Sequence, residues 1–370
     1  MGLAGAVGAC TSIVEPVDIE RPWMLANLPS NDPIDPRCDS RGASDGDHDG
    51  LADGCEDALA QRFAPIVIHS TDESNFPTNV DVFLRETSLA FHDESCGRAK
   101  DTVIERAPTE ADLTQRAADV RCGGDRVASA GSRSRGKHET FFLADVPRED
   151  RRGSADSRDW TTYVHAYPNV LGGVTLQYWR FYAYNDAFNN HGGDWVGIHV
   201  VLDPHASVAS VRLLQHGSSD DLAPPRLEWF GSHVIVYSEG GGHASRASGA
   251  GIVARHCDLE PCVVSLEDRG SYVWQETWRG GRVRWPDGRA TEGGGLVNMG
   301  EKSAPLNGQL FVQYSGLWGS PGAFYWSSGY WGPSYNETSM RGDGFLTSWC
   351  AGMAGALDRH RECWPAGTEP

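Results

Sequence analysis

The sequence predicts an all-β fold, an antiparallel β-sandwich with long loops and a short N-terminal acidic loop plus helix. Three observations predict it. Six segments are rich in β-branched and aromatic residues and are bounded by Gly, Pro, Asn or Asp: 63–69, 174–184, 195–203, 209–216, 233–239 and 310–316. The 370 residues include 44 Gly and 13 Trp, a turn-rich and aromatic composition. Helical periodicity is confined to 54–63, where CEDALAQRF puts Leu59 and Phe63 on one face, and to 109–119.

Taken in chain order, residues 1–44 are rich in Pro and Asp and read as a signal or lipobox remnant and linker. The opening MGLAGAVGAC is a small-residue apolar run ending at Cys10; it looks like a bacterial lipobox, in which Cys10 would be lipidated, although it has no basic n-region. Residues 45–62 form the acidic loop and helix. Residues 63–349 are the sandwich core, interrupted at 97–160 by a charged, Gly/Ser-rich stretch expected to be a surface excursion. Residues 350–370 are a Cys-bearing tail. No other segment approaches the ~20 apolar residues of a membrane span.

Asp45 to Glu56, DGDHDGLADGCE, is the most decodable stretch. Asp45, Asp47, Asp49, Asp53 and Glu56 occupy positions 1, 3, 5, 9 and 12 of a twelve-residue loop, with Gly50 at position 6. Five carboxylates so close repel one another unless a hard cation neutralises them, and this spacing suits Ca2+. No apolar period precedes the loop, so no helix enters it. Loop followed by helix resembles the thrombospondin type 3 and dockerin calcium loops more than a paired EF-hand. A lone site points to a structural ion.

The cysteines and the net charge bound the compartment and the partners. Nine Cys are present; setting Cys10 aside, eight fall into sequence neighbours, Cys38 with Cys55, Cys96 with Cys122, Cys257 with Cys262 and Cys350 with Cys363. That pairing rests on proximity alone, since eight cysteines allow 105 arrangements. Disulfides and calcium suit an extracellular protein or an outer-membrane or cell-surface lipoprotein. A net charge of −18 argues against nucleic acid as a partner and against simple attraction to anionic lipid. A lipid anchor would still bring the chain to a membrane, and oligomeric state is not encoded legibly.

The strands carry a second signal. YVHAYPNVLGGVTLQYWRFYAYNDAFNNHGGDWVGIHVVLD resembles the central block of the vacuolar protein sorting-associated protein 62-like family. FAPIVIHSTDESNFPTNVDVFL, the QHG at 215–217, GGHAS at 241–245 and LVNMGEKSAPLNGQ extend the resemblance over about residues 60–340. HGGDW is also similar to the GHRHDWE heptad of the necrosis- and ethylene-inducing-peptide-like cytolysins, β-sandwich proteins with a divalent cation there. The resemblance implies a sandwich and, near Asp194, a second divalent cation. The family pattern has Glu where this chain has Val196, so such an ion would need His191, Asp194 and, by resemblance, His216 and His243.

Read unaided, His191 and Asp194 flank a Gly-Gly turn and are expected to converge at a strand mouth, and His243 follows three glycines, where backbone can approach a ligand closely. The structural alternative is that Asp194 caps a turn and His191 bonds backbone. Residues 316–335, GLWGSPGAFYWSSGYWGPSY, offer Trp318, Trp326 and Trp331 for stacking on a sugar or dipping into a membrane interface; the alternative is that they cover the sheet. No G-x-S-x-G, Walker loop, Rossmann fingerprint or H-E-x-x-H occurs. Two function classes stand: a binding protein for a surface glycan or lipid head group, using His216, Trp318, Trp326 and Trp331; and a hydrolase or lyase using His191, Asp194 and His243 as acid/base groups or metal ligands.

Overall fold

The computed structural model describes residues 44–335, apart from 71–72, 121, 123–125, 131–138, 145, 170, 188–189, 216–217, 250–252, 257–262, 267–271 and 323–328. The expectations for Cys10, Cys38, His216, Cys257, Cys262, Trp326, Cys350 and Cys363, and for the segments 1–43 and 350–370, lie outside the described residues.

A central sheet runs in the order Ser218–Leu222, Val208–Gln215, His191–Leu202, Val174–Asn185, Thr162–Pro168 and Leu296–Asn298, with Pro77–Thr78 pairing onto Val174–Asn185. A second sheet runs Glu228–Phe230, His233–Ser238, Ile66–Ser70, Tyr272–Glu276, Arg282–Arg284 and Ala290–Glu292. The pairing is mostly antiparallel, as expected, but Ile66–Ser70 runs parallel to His233–Ser238, and Leu296–Asn298 runs parallel to Thr162–Pro168.

The two sheets enclose an apolar layer. Val164, Leu176, Tyr178, Ile198, Val200, Val211 and Leu213 meet Val67, Val234 and Val236, and helix Asp53–Phe63 closes the layer with Leu59, Ala60 and Phe63. Glu56, Leu59, Ala60 and Phe63 are the buried stripe of that helix, the i, i+3, i+4, i+7 spacing of an amphipathic face. Its first turn carries Asp53 and Glu56 and its last turn Arg62, both favourable against the helix dipole.

The opposite face of the central sheet is covered as well. Tyr163, Trp179, Phe181 and Trp195 pack on Val80, Phe83 and Leu84 of helix Val80–Glu86, on Leu89, Phe91, Phe141 and Leu143, and on Phe311, Tyr314 and Trp318. Asn79 caps that helix through its side-chain oxygen, which accepts from Val82 N at 2.8 Å. Both twelve-residue strands, Val174–Asn185 and His191–Leu202, are therefore buried along their whole length. A sheet covered on both sides buries its polar residues too, so Thr175, Gln177, Arg180 and Asn185 of one strand and His191, Asp194 and His199 of the other lie inside.

Residues 97–160 depart from the expected excursion. Glu139–Leu143 and Asp101–Arg106 pair on either side of Ser88–Asp93 in a three-stranded sheet, and Ala117–Val120 pairs with Arg126–Ser129. Asp101–Arg106 is a largely exposed edge strand, whereas Phe141 and Leu143 are core; the charge of the stretch decorates the outside of a third layer. The helix expected at 109–119 shrinks to Asp112–Gln115, and the strand expected at 310–316 is a 3-10 turn, Leu310–Gln313. A short apolar run such as LFV packs equally well as a turn or a strand, and its periodicity does not distinguish them.

Cys96 and Cys122 are disulfide-bonded, as sequence proximity suggests. Cys55 is disulfide-bonded too.

Candidate functional site

The acidic loop closes on itself as the spacing predicts. Gly50 adopts φ 96° and His48 φ 67°, so the chain reverses sharply between the third and seventh positions. One ligand atom each from Asp45, Asp47 and Asp53, and likewise from Asp47, Asp49 and Glu56, lie within 4.8 Å of one another. The five acids then divide by what their oxygens already do. Asp45 accepts from His48 N at 2.8 Å and from Gly50 N at 3.2 Å. Asp53 accepts from Gly46 N and from Ser44 Oγ, both at 2.8 Å, which ties the start of the loop to the start of the helix. Asp49 accepts from Leu51 N at 2.7 Å through one oxygen, and Glu56 accepts from Asn298 Nδ2 at 2.7 Å through one oxygen.

Four oxygens are left buried without a hydrogen-bond partner: both of Asp47, Asp49 Oδ2 and Glu56 Oε1. Asp47 is 2% exposed and Glu56 0%. Burial pushes the Asp47 carboxyl up to about 6, against the pull of His165 and with repulsion from Glu301, Asp45 and Asp53. Burial and then repulsion from Asp47 and Asp49 push Glu56 up to about 9; Asp49 rises to about 7 by burial, against the bond from Leu51 N. Leaving such groups unpaired is costly, and a divalent cation among them removes both the desolvation and the repulsion. The donor set is all hard oxygen, the chemistry Ca2+ requires.

The second centre lies at the polar end of the layer between the two large sheets. Asp194 Oδ2 stands 2.9 Å from His243 Nδ1 and 3.4 Å from Asn185 Nδ2. A carboxylate only accepts, so Nδ1–H donates to it, and Nε2 is left with no hydrogen-bond partner. Glu73 Oε1 is 3.9 Å from that Nε2, and the Glu73 carboxylate accepts from Asn75 N at 2.8 Å and Gly241 N at 2.9 Å. The His243 ring stacks on Tyr182, with centroids 3.7 Å apart, and its backbone is left-handed at φ 58°. A non-glycine residue in that region is held there by its surroundings. Beside it, Arg180, 1% exposed, donates to Tyr182 Oη at 2.8 Å and to Ser245 Oγ at 3.0 Å.

The resemblance suggested His243 as a partner of Asp194, and the two side chains meet. Sequence reasoning missed Glu73 and Arg180; Glu73 sits in the quoted 63–84 block, but nothing in its spacing sets it apart from Asp72 before it. His191 differs from expectation. Its Nδ1 is 3.1 Å from Gly192 O and its ring meets Tyr330 edge-on, with centroids 4.6 Å apart. His191, Asp194 and His243 do not bring three ligand atoms within 4.8 Å of one another among the described residues. All three are nearly buried, at 3%, 3% and 0% exposure, so the Gly-Gly turn does not present them to solvent. A remaining acid–sulfur grouping, Asp93, Cys96 and Cys122, contains the disulfide itself.

Trp318 is a correction. It is 0% exposed and packs in the aromatic core, so it does not reach a ligand. The physical reason is the path of its loop, whose Trp318 carbonyl lies where a Cβ at Gly193 would stand, while Gly319 crosses the Gly192 backbone just as closely. The paired glycines of HGGDW thus admit a crossing chain. Trp331 is partly buried against Leu317, Ala90 and Phe142.

Val196, where the resembled pattern carries Glu, is buried and pairs with Arg180 across the sheet. Val196→Glu is therefore expected to place its carboxylate against the Arg180 guanidinium. The number of divalent ions bound per chain, read by calorimetric titration, stays unchanged; an additional ion would mean that Asp194 and position 196 share a cation pocket.

No family model matches the chain and no curated protein matches it. Solved structures with a weak likeness are those of necrosis- and ethylene-inducing-type toxins. NLPPya in complex with mannosamine aligns at 15% identity and TM-score 0.28, over 52% of this chain and 65% of that one, so the chain spans a little under two thirds of that protein. NLPPya in complex with glucosamine aligns at 10% identity and TM-score 0.29, over 68% and 75%. Necrosis and Ethylene inducing Protein 2 from the causal agent of cocoa's Witches Broom disease aligns at 18% identity and TM-score 0.23, over 50% and 76%. Superposition at this level assigns neither a ligand nor a site residue to this chain.

Proposed function

We propose that this chain is a secreted or lipid-anchored calcium-binding β-sandwich protein that recognises a surface glycan or lipid head group, with the ion structural. The observation that carries the calcium reading is the set of four buried, unpartnered oxygens of Asp47, Asp49 and Glu56. The disulfides at Cys55 and at Cys96–Cys122 support an oxidising compartment. The vacuolar protein sorting 62-like resemblance rests on the quoted segments. Ligand recognition belongs, in this reading, to the sandwich end where Asp194, His243 and Glu73 meet and where Tyr330 borders His191.

Calorimetric titration of the intact protein is expected to show one Ca2+ per chain, and Asp47→Asn to abolish it, because Asp47 belongs to both acid groups. No heat at millimolar calcium would end the calcium reading. Binding of the calcium-loaded protein to arrayed glycans and lipid head groups tests recognition, which fails if neither array retains it.

The second reading, a hydrolase or lyase, is favoured by one observation: His243 has Nδ1 held by Asp194 and a bare Nε2, the arrangement of an oriented general base. Turnover by the wild type that is lost in His243→Gln, with melting preserved, would select it over the binding reading.

A further inference from the structure

The loop alone leaves a calcium shell at the low end. Calcium takes six to eight oxygens, and a twelve-residue loop reaches seven by a bidentate acid at position 12 and a contribution at position 9. Here both are diverted. Asn298 Nδ2 holds Glu56 Oε2, and both Asp53 oxygens hold the loop start through Ser44 and Gly46. The two Asp45 oxygens likewise accept from His48 N and Gly50 N, so what remains is one oxygen each from Asp49 and Glu56, one or two from Asp47, and the Leu51 carbonyl at position 7.

The segment that holds Glu56 brings another carboxylate with it. Asn298 ends the edge strand Leu296–Asn298; three residues on, Glu301 lies in the hairpin formed by Gly300–Glu301 and Ala304–Pro305. The next residue, Leu306, packs on the loop at Gly46. Glu301 Oε1 is 2.9 Å from Nε2 of His165, which is 1% exposed and whose other nitrogen is 3.3 Å from Gln177 Oε1. Glu301 stands between those two loop contacts, three residues after Asn298 and five before Leu306, and in this structure it faces His165 rather than joining the acids that gather within 4.8 Å.

Resting on the calcium reading, we propose that Glu301 is a calcium ligand from outside the loop, turning from His165 to the ion when calcium binds. The ion then bridges two parts of the chain that already meet through Asn298 and Glu56, 242 residues apart. It locks the edge strand and the Leu310–Gln313 turn that covers the aromatic core with Phe311 and Val312. His165 keeps its Gln177 contact when Glu301 leaves.

The test uses the full chain, with Ca2+ in calorimetry and Tb3+ in luminescence-lifetime counting of bound water. Glu301→Gln is expected to weaken Ca2+ binding by about tenfold or more and to add one water to bound Tb3+. His165→Gln is expected to leave affinity equal or higher, since it frees the acid; a loss there comparable to that of Glu301→Gln would mean that the pair acts only as scaffold. Glu301→Gln binding within about twofold of wild type, while Asp47→Asn abolishes binding, would overturn the proposal and leave the calcium reading standing. Wild type without calcium binding would overturn both.

Discussion

Stripped of divalent ions by EDTA, the protein is expected to melt lower at pH 9 than at pH 7, and added calcium is expected to remove that difference. Glu56 and Asp49 have folded carboxyls raised to about 9 and about 7 by burial. Groups raised in the fold bind protons more tightly than in the unfolded chain. Their contribution is complete below the ordinary carboxylate range and is lost as pH rises through 7 to 9. Bound calcium takes the place of those protons, so the alkaline loss vanishes. Below about pH 6.5 a second effect takes over. His69, His199 and His233 are held neutral by burial, with folded values below the ordinary one, and the unfolded chain gains protons that the fold refuses. In EDTA the melting temperature should therefore peak near neutrality. In millimolar calcium it should stay level from neutrality to pH 9, shifted upward by about 5 °C or more at the alkaline end, taking 1 kcal/mol as roughly 2 °C for a chain this long. Differential scanning calorimetry across pH, with and without EDTA, checks it. A profile that ignores EDTA at every pH would mean that the acidic loop holds no ion.

Trp318→Ala is expected to be the most destabilising single change among the residues that sequence reasoning offered for ligand contact. Its ring meets Phe181 and Trp195 with centroids 5.1 Å away in each case, and Phe311 and Tyr314 at 5.8 and 5.9 Å. Truncating a fully buried Trp costs about 3–5 kcal/mol through lost burial and the cavity left behind. At this size that lowers the melting temperature by on the order of 5–10 °C. A surface stacking residue behaves the other way, losing ligand and keeping its melting temperature. Circular dichroism melts of Trp318→Ala beside Trp331→Ala, a partly buried neighbour, separate core from rim. An unchanged melt for Trp318→Ala would return that residue to the ligand-facing class.

Periodicity and turn residues were enough for the all-β class, the two long strands and the helix after the loop, because each is a local pattern. The acidic loop was legible for the same reason. Its five acids lie within twelve residues, and the glycine that lets them converge lies among them. Even there the sequence treats the acids alike. Only the folded chain separates Asp47, with both oxygens bare, from Asp53, whose oxygens bind Ser44 and Gly46.

The parts that were misread are those decided by what arrives from far along the chain. The charged, Gly/Ser-rich composition of 97–160 does not announce that Phe141 and Leu143 will enter the core. HGGDW advertises an open turn, yet its glycines are required by Trp318 and Gly319 passing over them, and that approach buries Trp318. Asp194 and His243 are 49 residues apart, and His243 finds its acid only because the glycine run before it turns the chain back over the central sheet. Local composition determined the strands, the turns and the acidic loop, since these need only neighbours. Tertiary structure decided which polar groups were left without partners, because a buried oxygen or nitrogen is orphaned only by the whole set of surfaces that close around it.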